Sequence, residues 1–460
     1  MIISKYIYKF IVVIILTIVS CKNEKIDNTS NDIITKEYTV AVILPMENGL
    51  NTHWERILGF INKNMEIAQR NLTQKVQIYY EIYDENKTDI KALAYKLGER
   101  EDITAVIGCM YSDDASIVSN ILAKYQKTLF TISTSSELVR ANAKDGYLWA
   151  ITETDITQCE ALLTKAESYG AKSVALISKE NSSYCQTFID WFSFQAQELG
   201  LEVKGLFIYN DNNIKETTFN ACNSNSDYLI CVPANSTDVG YIYNFINQHS
   251  TENEYTPKSL FSDVAYGENV INKFKSEIEG LEGISYTANP ETGFEVSYYT
   301  YFNDYLSKGE AQIYDSCMLL YYSLYYINLY KENNLDLKSA IRAVVNGRDE
   351  NQYGWMGEDM ENVFEAFNKG EHPNINGASG SLDFDKEVYT NVLSTTYTNF
   401  TVYNNKYLRL GYITSNGSNR TESTLAGWNW RKTQIQDFDE NQKDIEYPLL
   451  KDKWALLIAS

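Results

Sequence analysis

The segment from Ile103 to Ser136 constrains the fold more than any other. The apolar run Ile103-Thr104-Ala105-Val106-Ile107-Gly108-Cys109 breaks into Tyr111-Ser112-Asp113-Asp114, and Thr128-Leu129-Phe130-Thr131-Ile132 breaks into Ser133-Thr134-Ser135-Ser136. Between them, Ile117, Val118, Ile121 and Leu122 form a stripe at helical spacing, so the unit reads strand, helix, strand. Two buried strands therefore each end in a hydroxyl-rich turn, and ligands of open α/β sheets bind at the carboxyl ends of such strands. A serine in such a turn has two uses. It can cap the following helix, or it can hold a small polar molecule against the helix N-terminus.

The same alternation runs on both sides of this unit. Tyr38 to Leu44 is a continuous apolar strand, followed by a helix from about Trp54 to Arg70; Val76, Ile78, Tyr80 and Ile82 alternate as a strand ending at Asp84, and a helix from about Thr88 to Arg100 follows. This βαβ order implies a parallel, doubly wound sheet with right-handed crossovers. After Tyr147 to Ile151, an edge or crossing strand, a second series begins with a helix from Asp155, strands at Ser173 to Ser178, Glu202 to Ile208, Asp227 to Val232 and Ser259 to Phe261, and helices between them. The expectation is an α/β chain of two doubly wound parallel-sheet lobes joined by a hinge, with a ligand cleft between their carboxyl edges. The boundaries read as an N-terminal lobe over 38–152, a C-terminal lobe over 153–310, and late segments over 311–400 contributing to the lobes and hinge. A terminal hairpin over 401–415 and a polar tail over 416–460 complete the chain. The tyrosines between Val296 and Tyr330 fall on helical spacing and read as helix packing.

A length of 460 residues suits two lobes. The formal net charge of −21 excludes nucleic acid and an anionic bilayer surface as partners. Lys5 and Lys9 precede the short apolar core Phe10 to Val19, too short to span a bilayer and suited to a secretory signal peptide. Ile18-Val19-Ser20-Cys21 is similar to a bacterial lipobox, which implies lipidation at Cys21 and a membrane held through that anchor; residues 22–37 then read as a tether. Six further cysteines remain. Outside the cytoplasm they permit disulfides, with Cys185 and Cys222 the first pair to test, while Cys109, Cys231 and Cys317 read as small core residues.

From Val40 to about Ile413 the order of motifs resembles the type I periplasmic solute-binding proteins of branched-chain amino acid transporters, the fold shared with receptor ligand-binding regions. The matching pieces are Val40 to Pro45, Tyr83-Asp84, Ala105 to Gly108 with Ser112, Ile132 to Leu138, Ser173 to Lys179 with Tyr184, Tyr314-Asp315, and Gly377 to Asp385. The resemblance implies an extracytoplasmic protein that captures an amino acid or peptide-like molecule for an ABC permease or a sensor. It implies that Ser112, Ser133, Thr134 and Ser135 grip the ligand carboxylate, that Tyr184 closes over the ligand, that Asp263 faces the amine, and that Trp54 walls the side-chain pocket. The chain departs from the family pattern where Asp263 replaces a longer glutamate and where Met46 to His53 replaces a small, glycine-rich loop.

Enzyme readings find little support. The three histidines, His53, His249 and His372, lack metal-ligand spacing, Gly377-Ala378-Ser379-Gly380 is not a nucleophile elbow, and no phosphate loop occurs, so no cofactor is implied. The ending Trp454 to Ser460 resembles the first strand of legumain-like cysteine peptidases, which implies as an alternative the ligand-sensing module of a split or truncated peptidase. A structural envelope lipoprotein with a vestigial cleft is the other alternative.

Overall fold

The structure, a computed structural model, describes residues 33–415 and 431–432, apart from 134, 143–144 and 387–389. The signal segment, Cys21, most of the tether, Thr134 and the rest of the tail lie outside the described residues.

The first lobe is built on strands β1 (Ile34–Leu44), β2 (Gln74–Asp84), β3 (Ile103–Gly108), β4 (Thr128–Thr131) and β5 (Leu148–Ala150), all parallel in the order β2-β1-β3-β4-β5. Helix α1 (Leu50–Ala68) covers one face; α2 (Ile90–Glu99), α3 (Ser112–Leu122) and α4 (Ser136–Ala141) lie on the other. This explains why β1 is apolar without alternation. Val40, Val42 and Leu44 point into the α1 side while Ala41 and Ile43 point into the α2 and α3 side, and all five are fully buried. Asp89 sets the start of α2 by accepting the Ala92 N–H at 3.0 Å.

The second lobe begins with α5 (Asp155–Ser168) and continues through β6 (Ser173–Lys179), α6 (Ser183–Glu198), β7 (Glu202–Tyr209), α7 (Ile214–Cys222), β8 (Tyr228–Val232), α8 (Ser236–Glu252), β9 (Lys258–Phe261), α9 (Glu268–Phe274) and β10 (Glu282–Tyr286). The chain then returns to the first lobe. Helices α10 (Phe294–Phe302), α11 (Glu310–Leu329), α12 (Leu337–Val344) and α13 (Glu358–Asn368), with the short parallel ribbon β11 (Arg348–Tyr353) and β12 (Pro373–Ile375), pack there. A third crossing leads to β13 (Thr396–Tyr403), β14 (Lys406–Thr414) and β15 (Arg431–Lys432), which extend the second sheet in the order β15-β14-β13-β10-β9-β8-β6-β7.

Several sequence expectations are corrected here. The terminal hairpin is not a separate unit: β13 pairs antiparallel with β10 and so belongs to the second sheet. The C-terminal lobe does not run to 310, because Phe294, Tyr298 and Leu306 pack in the core of the first lobe. The tether ends before Ile34, which already pairs with Gln74. Cys185 and Cys222 are free, buried, and in cores on opposite faces of the second sheet, so the sheet itself separates them. The helix-packing reading of the tyrosines, by contrast, holds for α11, where Tyr314, Tyr321, Tyr322 and Tyr325 are all buried in the core of the first lobe.

The three crossings lie side by side. The backbone of Ala150 bonds both Thr390 and Val392, at 2.7 and 3.1 Å; Glu153 N–H donates to the Thr395 hydroxyl at 2.7 Å; and Thr287 N–H donates to the Thr396 carbonyl at 2.9 Å. No helix among the described residues is long and apolar enough to cross a membrane.

Candidate functional site

The carboxyl ends of both parallel sheets face each other across a cavity of about 480 Å³. From the first lobe, the turn after β3 contributes Tyr111, Ser112, Asp113 and Asp114, and the turn after β4 contributes Ile132 and Ser133. The second lobe contributes Asp155 at the first turn of α5, Tyr184 of α6, Asp263 after β9 and Tyr286 of β10. Lys308, in the loop before α11, reaches in from the side of the first lobe.

The hydroxyl-rich turns divide between the two uses open to them. Ser112 opens α3 beside the cavity, and that helix has no side-chain cap. Ser133 lines the cavity while its hydroxyl donates to the Cys109 carbonyl at 3.0 Å. Ser135 is fully buried and caps α4 by accepting the Leu138 N–H at 3.3 Å, so it serves the helix rather than the cavity. Trp54 is also corrected. It is wholly buried and donates its indole N–H to the carbonyl of Pro45 at 2.7 Å; Pro45 lines the cavity and Trp54 does not.

Tyr184 and Asp263 lie together, with the tyrosine hydroxyl 2.5 Å from Asp263 Oδ1 and 2.9 Å from Gln158 Oε1. Lys308 is not among the residues expected from sequence; its Nζ lies 3.1 Å from Asp263 Oδ2 and 3.1 Å from the Asp263 carbonyl oxygen. Burial pushes the Tyr184 hydroxyl well above the ordinary tyrosine range, and the nearby Asp263 charge adds to the effect, so the group is a neutral donor. Asp155 was also missed. Only 6% exposed, its carboxyl is held well above the usual carboxylate range by burial first and by Asp263 second, and its buried Oδ2 has no hydrogen-bond partner. Below the first-lobe turn, Glu85 is buried and raised to about 8 by that burial, although its carboxylate accepts the Met110 N–H at 2.9 Å and the Tyr111 N–H at 3.0 Å.

The lobes touch across the cavity. Asp113 accepts the Ser183 N–H at 3.2 Å, Ser136 N–H donates to the Thr187 hydroxyl at 3.0 Å, and His53 of α1 lies 3.2 Å from Glu268 of α9 and 3.3 Å from the buried Glu310. Burial would lower the His53 imidazole, but bonds to Glu268 and Glu310 and their charges outweigh it and raise it to about 10. The folded value then exceeds the unfolded one, so this contribution is fully present below about pH 6.5 and is lost as pH rises through about 10. A fall of several degrees in Tm from pH 7 to 10 is expected, and His53→Gln should flatten it; equal slopes for both proteins would contradict the assignment.

This architecture, two parallel-sheet lobes crossed three times by the chain with a polar cavity between them, defines the class of bilobal solute-binding folds. The chain belongs to the periplasmic binding protein family, whose model matches residues 61–320. Among solved structures it is similar to a leucine binding protein from Thermotoga maritima at 18% identity, covering 82% of this chain and 98% of that one with a TM-score of 0.58. A branched-chain amino acid transporter substrate binding protein from Streptococcus pneumoniae, in complex with isoleucine, matches at 15% identity over 81% and 100% with a TM-score of 0.56. A solute binding protein of an ABC transporter from R. palustris, in complex with 4-hydroxybenzoate, matches at 14% identity over 81% and 95% with a TM-score of 0.58. No curated protein sequence matches the chain. Among the described residues, no group of histidine, cysteine or acidic side chains is placed to hold a metal ion.

Proposed function

We propose that this protein is the solute-capturing component of an ABC-type importer or of a sensor, held outside the cytoplasm by a lipid on Cys21, and that it binds a small polar solute of amino acid or peptide-like chemistry without transforming it. The observation that carries this reading is the cavity: about 480 Å³, set at the carboxyl ends of two parallel sheets, and lined by hydroxyls and charged groups from both lobes. Ser112 and Ser133 supply hydroxyls from the first lobe, and Tyr184 and Asp263 supply a neutral donor and a carboxylate from the second. A solute touching both lobes gains its full set of contacts only when they are together, so binding favours the shut arrangement. Two of the similar solved structures are complexes with isoleucine and with 4-hydroxybenzoate, which supports a small solute as the guest.

A thermal-shift screen of the protein against amino acids, short peptides and sugars tests the reading. A solute at 100 times its Kd adds about 2.7 kcal/mol of stability, visible as a rise of several degrees in Tm. Ser112→Ala and Asp263→Asn should each abolish the rise; a rise that survives both replacements would place binding elsewhere.

A further inference from the structure

Among the described residues, six carboxylic side chains line the cavity, Glu47, Asp113, Asp114, Asp155, Asp263 and Glu268, against the single ammonium of Lys308. Lys308 is already committed to Asp263 through a 3.1 Å ion pair, and its Nζ also stands 5.7 Å from the centre of the Tyr286 ring. A carboxylate beside a tyrosine face is a setting that holds an ammonium, and here the chain's own lysine demonstrates the fit. Asp155 shares this corner with Tyr184, Tyr286 and Asp263. It differs from Asp263 in having a buried oxygen with no partner, an arrangement that costs stability unless something arrives to satisfy it.

The opposite pole of the cavity offers little to an anion. The backbone N–H groups of Met110 and Tyr111, which lead into α3, are occupied by the carboxylate of Glu85. Asp113 and Asp114 fill the first turn of that helix, where a ligand carboxylate would have to lie, and so spend its dipole on the chain's own charges.

We infer that the solute is an organic cation carrying net positive charge, and that an ammonium group of it seats against Asp155 beside Tyr184 and Tyr286. This rests on the reading of the cavity as a solute site and narrows its chemistry to amines such as diamines and basic amino acids. Lys308 then acts as a competitor of the same charge: it pairs with Asp263, which the guest shares with it, while the unpartnered oxygen of Asp155 is left to the guest alone.

The test is calorimetric titration of the protein with putrescine, cadaverine and lysine in one arm and leucine, glutamate and 4-hydroxybenzoate in the other. The amines should bind and the second arm should not. Asp155→Asn should weaken amine binding by about tenfold or more, and Lys308→Gln, which removes the competing ammonium, should tighten it several-fold. The second variant keeps the test sound should the first fail to fold. Binding of leucine, glutamate or 4-hydroxybenzoate in preference to the amines, or amine binding indifferent to both replacements, would overturn the cation assignment while leaving the solute-binding reading intact. Binding by neither arm would also overturn the cation assignment, and the wider thermal-shift screen then decides the solute-binding reading.

Discussion

Gly108→Ala is expected to keep the protein from accumulating in soluble form, or to lower its Tm by roughly 10 °C or more, which a melt of the purified variant would read directly. Gly108 is the last residue of β3 and pairs in register with Ile43 of β1. Its φ of 128° lies where side chains other than glycine's are strained, and a Cβ there would stand 2.0 Å from the Ile43 carbonyl oxygen. That neighbour is backbone in a central strand whose flanks are both packed, so it cannot swing aside as a long side chain would. The cost combines strain at a positive φ with overpacking in the core and should exceed about 4 kcal/mol. The damage would fall where β3 hands the chain to Tyr111 and Ser112, so any surviving folded protein should also lose solute binding. A variant melting within about 2 °C of the parent would show that the two strands tolerate a wider separation.

The second large effect is expected at Asp315. This side chain of α11 is fully buried and accepts the Ala378 N–H at 2.6 Å, the Ser379 N–H at 2.8 Å and the Ser379 hydroxyl at 2.6 Å. The loop it holds is itself bonded to the second crossing through Asn289 N–H and the Ala378 carbonyl, at 3.1 Å. Asp315→Ala would strand two backbone donors and a hydroxyl in a dry site, at a cost of about 3–5 kcal/mol. Asp315→Asn should fare little better, since its amide N–H₂ would face donors where a second acceptor is required. Denaturant unfolding of the two variants measures this, and a loss below about 1 kcal/mol in either would mean that the loop finds other partners.

What the sequence revealed follows from the range of each signal. Strands such as β1 and β3 are legible because burial on both faces writes a continuous apolar run, a property of neighbouring residues alone. The helix over Glu358–Asn368 carries Met360, Val363, Phe364 and Phe367 at helical spacing, a signal left unused in the sequence expectations, although its packing against the first lobe depends on the whole fold. The site divides the same way. Ser112 and Ser133 were visible as turns following buried strands. The choice between capping and lining, which sent Ser135 to α4 and left Ser112 beside the cavity, depends on where the next helix points. Trp54 was misplaced because a loop-to-helix turn beside a cleft does not say which side of the loop the ring occupies. Lys308 and Asp155 were out of reach altogether. One lies in an aperiodic loop 45 residues from the carboxylate it meets, and the other opens a helix where an acidic residue ordinarily needs no explanation.

The lobes approach closely enough at Ser136 and Thr187, whose hydroxyl oxygens are 3.3 Å apart, to be locked by a disulfide between Ser136→Cys and Thr187→Cys, while the six cysteines among the described residues are buried and free. Retention of solute through gel filtration by this double variant is the most direct measurement of whether the guest lies between the lobes. Loaded and then oxidised, it should carry its solute through the column and release it on reduction, and oxidised empty it should take up none. Equal uptake and equal loss in the oxidised and reduced forms would contradict capture between the lobes.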